Sequence, residues 1–244
     1  MRVSRTHRLA SLALLAALAA CGGAADVRVP DDASPLLALL VAPGGQGAER
    51  LRAGDLGGAR TAYEAALAQD PGRLWALNDL AVAYALEGHG QAARRLLDEV
   101  VSGGDAREQQ AALVNLGQLH ASDGFVSAAQ ATLETARGLD PTRPEPWYAL
   151  ALLADARGDI LAARGLVKEA LRLDADGLAR IAFAYVNPEE RTHLDALVAE
   201  ASGDRAKAAP LWRTLQAGRF ASLTTAAERH LALAQRDASR AGGE

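Results

Sequence analysis

The chain is expected to be all-α, a solenoid of antiparallel helix pairs of about five repeats closed by a C-terminal capping helix. Three observations lead there. Gly54, Gly88, Gly124 and Gly158 recur at intervals of 34, 36 and 34 residues; an alanine stands five residues after each (Ala59, Ala93, Ala129, Ala163); and a larger apolar residue follows four later (Tyr63, Leu97, Leu133, Val167). A fixed period of this length marks stacked supersecondary units. Composition agrees, since half the residues are hydrophobic but only 4% are aromatic. A core rich in alanine and leucine suits closely packed helices better than sheets.

Each residue type has a mechanical role. The glycines allow the left-handed backbone that a tight turn between helices demands. The alanines mark close helix contacts, where a larger side chain would cost about 1–3 kcal/mol. Pro71 and Pro141 stop the second helices of two units, because proline cannot donate the next hydrogen bond. The first helices repeat in phase as well: Leu77, Leu80, Ala81 and Tyr84 are matched by Leu113, Leu116, Gly117 and His120, and by Trp147, Leu150, Ala151 and Ala154. The spacing is that of the tetratricopeptide repeat, and units of this kind stack into a superhelix with a concave face. The core repeats are assigned to residues 54–177.

At the N-terminal side, Pro43, Gly44 and Gly45 shorten the first helix to roughly Gln46–Ala53. Before it, Ser34 is the expected N-cap and Pro35 the first residue of a short apolar helix over 36–41. Two roles are open to that segment: a cap on the end of the superhelix, or a docking strip for a partner; residues 36–53 form this N-terminal unit. After the fourth repeat, residues 178–244 hold an irregular connection in which Ile181, Phe183 and Tyr185 pack on the last helices or line a binding edge. A degenerate fifth repeat then places Gly203, Ala208 and Trp212 at the right offsets, with Pro210 expected to kink its second helix. A final helix is expected from Thr225, with Glu228 in a capping box.

The first twenty residues carry a different signal. Arg2, Arg5 and Arg8 precede a run of Leu, Ala and Ser from Leu9 to Ala20. That run is too short for a membrane span, which needs about twenty apolar residues, and reads as a signal peptide. Leu18, Ala19, Ala20 and Cys21 resemble the lipobox of bacterial lipoproteins, and Cys21 is the only cysteine. The resemblance implies lipidation at Cys21, a flexible tether over 21–35, and, from Gly22 after the cysteine, an outer-membrane address facing the periplasm. Removal of residues 1–20 takes three arginines and no acid, bringing the formal charge from −4 to −7. That balance disfavours nucleic acid and anionic lipid heads as partners.

If the tetratricopeptide resemblance holds, the groove is lined by Trp75, Asn78, Asp79, Val82, Val114, Asn115, Gln118, Glu145, Tyr148, Leu152 and Asp155. The lining is amide, aromatic and acidic. It lacks the basic cluster by which clamps of this family hold acidic chaperone tails. The amides instead suit the backbone of an extended peptide, with Trp75 and Tyr148 for its apolar side chains, or a partner helix. No catalytic constellation is legible. His89, His120, His193 and His230 lack metal-ligand spacing, His120 occupies the place of a packing tyrosine, and no nucleophile elbow or phosphate loop occurs. No cofactor or metal is implied. A small lipoprotein of this build resembles the pilotin-like and Tad-type tetratricopeptide lipoproteins, the phrase NDLAVAYALEG, Asn78 to Gly88, being similar to the latter group, and this implies a scaffold for pilus or secretin assembly. A barrel-assembly lipoprotein and a regulator of a cell-wall enzyme are the alternatives.

Overall fold

In the computed structural model, residues 38–184 and 188–241 are described. The signal segment, Cys21 and the tether lie outside them, as do Ser34, Pro35 and Tyr185. Five helix pairs follow one another: α1 (Gln46–Arg52) with α2 (Leu56–Gln69), α3 (Leu74–Leu86) with α4 (Gly90–Gly103), α5 (Ala106–Ser122) with α6 (Val126–Leu139), α7 (Glu145–Ala156) with α8 (Ile160–Leu173), and α9 (Pro188–Ala201) with α10 (Arg205–Gln216). A long last helix, α11, spans Ala221–Ala241.

The turn within each pair is built the same way five times. Gly54, Gly88, Gly124, Gly158 and Gly203 all adopt φ between 78° and 85°. The residue after each glycine donates its N–H to the carbonyl five positions back, as in Phe125 to His120 at 2.8 Å and Asp204 to Ala199 at 2.9 Å. This is the left-handed helix stop that satisfies otherwise orphaned carbonyls. Asp55, Asp159 and Asp204 then cap the following helix, each accepting from the N–H three residues on. Asp105 and Glu108 form a reciprocal capping box at the start of α5.

Close packing follows. Ala59, Ala93, Ala129 and Ala163 have no exposed surface, and the fifth-unit Ala208 and Trp212 are buried too. A Cβ on Gly117 would lie 2.6 Å from Leu133 Cγ, so α5 and α6 meet at a distance only glycine permits. The first helices also touch one another, α3 on α5 and α5 on α7, and α11 reaches back to α7. Three apolar clusters result, centred on Leu51, Tyr63 and Leu40; on Leu97 and Leu116; and on Tyr148, Phe183, Leu194 and Trp212.

Three expectations need correction. Residues 38–41 are not helical: Ala38–Leu39 is a strand, β1, and Leu40 continues it in an extended run. A helix of six residues is marginal by itself, and this segment finds hydrogen-bond partners along the inner helices instead of within itself. In the connection, Ala179–Ala182 is a 3-10 turn and Phe183–Ala184 is a second strand, β2, paired antiparallel with β1 in the register Ala38 to Ala184 and Leu39 to Phe183. Phe183, in β2, is fully buried, whereas Ile181, within the 3-10 turn, is 56% exposed rather than packed. Helix α11 begins at Ala221, so Glu228 is mid-helix; the buried spacing Leu223, Ala226, Ala227, His230 carries the helical period upstream of Thr225. Pro210 lies inside α10, as expected, on its exposed side.

Candidate peptide-binding groove

The inner face of the superhelix is occupied by the chain itself. Residues 38–43 run along α3 and α5 with β2 on their other side, and nearly every main-chain polar group of this strap has a partner. Asn115 brackets Leu39: its Oδ1 accepts the Leu39 N–H at 2.7 Å and its Nδ2 donates to the Leu39 carbonyl at 2.9 Å. Asn78 Nδ2 donates to the same carbonyl at 3.1 Å, and Asn115 Nδ2 to Asn78 Oδ1 at 3.0 Å. The two Asp79 oxygens accept from Val41 N–H at 2.8 Å and Ala42 N–H at 3.1 Å. Leu40 N–H donates to Ala182 carbonyl at 2.9 Å. Two arginines close the outer side, Arg107 on the Val41 carbonyl and Arg52 on those of Pro43 and Ile181.

Helical spacing explains how three polar side chains come to read one extended backbone. Asn78 and Asp79 lie on α3 and Asn115 at the equivalent turn of α5, all facing inward, and all three are at least 96% buried. Buried polar groups are stable only when paired, and here the strap supplies the pairs. Burial pushes the Asp79 carboxyl up to about 6, against the pull of the Val41 and Ala42 N–H groups, the Asn78 amide and Arg107. The phenol of Tyr63 is raised as well, first by burial and then by the Asp79 charge.

The remaining predicted lining residues divide between this filled trough and side-chain contacts beyond it. Val82 packs in the cluster that holds Ala38 and Leu40, with Trp75 half-buried at its edge, and Val114 packs with Leu39 and Phe183. Gln118, one turn beyond Asn115, is buried with its Nε2 unpartnered. In the C-terminal half the residues turn toward their neighbours: Glu145 to Arg143 at 2.8 Å, and Tyr148 Oη to Asp174 at 2.9 Å. Leu152 borders the cluster around Phe183.

Asp155 anchors an arrangement that single-residue reading missed. His193 Nε2 and His230 Nε2 each lie 2.7 Å from a different Asp155 oxygen, and His230 Nδ1 lies 2.6 Å from Glu200. Trp212 stacks on His230 with centroids 4.0 Å apart and donates its indole N–H to Glu200 at 3.0 Å. Arg164 also pairs with Glu200. Burial alone would lower the His230 pKa, but hydrogen bonds and charges from Asp155 and Glu200 raise it to about 9. Burial also works against ionisation of Asp155, and the two histidines outweigh it, holding that carboxyl below its ordinary value. The group joins α7, α9, α10 and α11 into one body. The available signal was the i, i+7 pair His193 and Glu200 on a single helix face. Among the described residues, no set of three His, Cys, Asp or Glu side chains is placed to hold a metal ion.

Comparison with known proteins supports the architecture. Residues 50–117 match the family model described as a tetratricopeptide repeat. A crystal structure of the APC/C hetero-tetramer Cut9–Hcn1 is similar, with a TM-score of 0.51 and 18% identity over 68% of this chain, which spans only 31% of that one. A crystal structure of MamA covers 78% of this chain and 98% of its own, with 19% identity and a TM-score of 0.42. One of PilW, described as a widely conserved type IV pilus biogenesis factor, covers 73% and 94%, with 19% identity and a TM-score of 0.33. No curated protein matches. The chain thus folds as a tetratricopeptide-repeat superhelix, with a strap of its own residues lying where the concave groove would be open.

Proposed function

We propose that this protein is a lipid-anchored tetratricopeptide scaffold of a bacterial envelope that holds an extended segment of another protein in its concave groove. One observation carries the groove assignment: Asn78, Asp79 and Asn115 make five hydrogen bonds to four main-chain groups of an extended segment and none to a side-chain polar group of it. Recognition of this kind takes affinity from the backbone and selectivity from the pockets between. The lipid anchor rests on the lipobox-like Leu18 to Cys21. At about 0.8 kcal/mol per buried CH₂, more than one acyl chain on Cys21 makes detachment slow. Among the described residues no helix is long and apolar enough to cross a membrane.

The machine served is of the pilus or secretin type, on the resemblance of Asn78–Gly88 to lipoproteins that assist secretin assembly, and the address is the outer membrane facing the periplasm. The role is holding rather than chemistry: Asp155 and Glu200 are engaged with His193 and His230, and Asp174 with Tyr148. Deletion of the gene is expected to reduce heat-stable secretin multimers, with restoration by the native chain and not by Cys21→Ser. Undiminished multimers in the deletion strain would overturn the assembly assignment.

A further inference from the structure

The strap has features of a replaceable occupant as well as of a core element. Its polar hold on α3 and α5 is made by main-chain groups, which any proline-free extended segment also presents, and its buried side chains, Ala38, Leu39 and Leu40, are all aliphatic. It joins α1 through Pro43, Gly44 and Gly45, the two glycines exposed and Gly44 in open space, which is the composition of a hinge rather than of a rigid corner. Its fit is incomplete. Beside Ala38, a small cavity is lined by Ala81, Val82, Ala85, Leu97 and Leu119 together with Asn115. The alanine side chain leaves this small, partly open apolar pocket without full contact. Gln118, on the same helix as Asn115, has a buried amide N–H with no acceptor, a further donor for a segment lying in this trough.

We propose that residues 38–42 are an intramolecular competitor for the groove, displaced when an extended aliphatic segment of a partner protein takes their place with a branched side chain at the register of Ala38. The inference rests on the groove reading above. A segment tethered by a short hinge acts at a local concentration in the millimolar range. Against a free peptide of about 10 μM intrinsic affinity, such a tether weakens apparent binding roughly a hundredfold. A partner offsets part of this by filling the space beside Ala38, since two additional buried carbons are worth about tenfold in affinity.

The test uses the full mature chain carrying Cys21→Ser, with a protease site inserted between Gly44 and Gly45. The probe is a fluorescent synthetic peptide of sequence LLALLVAP, copying residues 36–43, with two lysines appended for solubility, and a second peptide with valine in place of Ala38. Fluorescence anisotropy is read before cleavage, and again after cleavage and gel filtration, with circular dichroism confirming the helices. The expected result is binding to the cut chain about a hundredfold tighter than to the uncut chain, with the valine peptide about tenfold tighter again. Equal binding before and after cleavage would overturn the competitor role while leaving a peptide-binding surface in place. Loss of helical signal on cleavage would show the strap to be an integral core strand and overturn the same inference. No binding to a cut chain that keeps its helices would overturn both this inference and the groove reading beneath it.

Discussion

The histidine cluster at the C-terminal half gives the chain a stability profile with a definite sign. His230 is 3% exposed, placed between Asp155 and Glu200, and covered by the Trp212 ring. Its folded pKa of about 9 stands above the unfolded value of 6.5. The stability this represents is fully present below pH 6.5 and is lost as pH rises through about 9, because the unfolded chain has already released the proton. The difference corresponds to about 3 kcal/mol, a large share of the 5–15 kcal/mol or so that separates folded from unfolded domains. Urea unfolding at pH 6, 7, 8, 9 and 10 measures it against His230→Gln, which can still hydrogen-bond but cannot carry the charge. The native chain is expected to exceed the variant by about 2–4 kcal/mol at pH 6, and the gap is expected to close by pH 10. Other groups titrating in this range affect both proteins alike. A gap that stays constant across the range would refute the assignment of a charged, doubly paired His230.

Other predictions probe separate links of the argument. Gly88→Ala, at φ +85° in open space, is expected to lower stability by about 1–2 kcal/mol, whereas Gly165→Ala, in open space within α8, is expected to raise it by about 0.5–1 kcal/mol; thermal unfolding distinguishes the two signs. Asn115→Ala removes the acceptor of the Leu39 N–H and one of the two donors to the Leu39 carbonyl, and is expected to cost about 1–3 kcal/mol in chemical denaturation. Phe183→Ala opens a void under β2 and is expected to cost about 3–5 kcal/mol. Cys21→Ser is expected to move the protein from the membrane pellet to the soluble fraction, or to leave an unprocessed precursor, by fractionation and immunoblotting.

What was legible in the sequence was local. The turn glycines announce themselves because a left-handed residue is needed at the same point of every pair, and the alanines because each close contact repeats one period later. Both patterns survive in the structure down to the fifth unit at Gly203 and Ala208. The strap was not legible, because the groups that satisfy its backbone lie 37 to 76 residues away. A wholly apolar run such as Leu36–Val41 carries no period by which helix and strand can be told apart. Asn78 and Asn115 were nonetheless identifiable as readers of an extended backbone, since inward-facing amides on successive first helices have few other uses. That the backbone belongs to this chain depends on the path of residues 38–43, which no spacing encodes. The Asp155 cluster failed for the same reason, since its members come from four helices.

The account depends most on the strap lying along α3 and α5 in solution, and amide hydrogen exchange addresses this directly. The N–H groups of Leu39, Leu40, Val41 and Ala42 are bound to Asn115, the Ala182 carbonyl and the two oxygens of Asp79. All four are expected to exchange at least a hundredfold more slowly than in the free peptide LLALLVAP, and Asn115→Ala is expected to accelerate Leu39 foremost. Exchange of these four amides at the free-peptide rate in a chain whose helices remain protected would contradict the account.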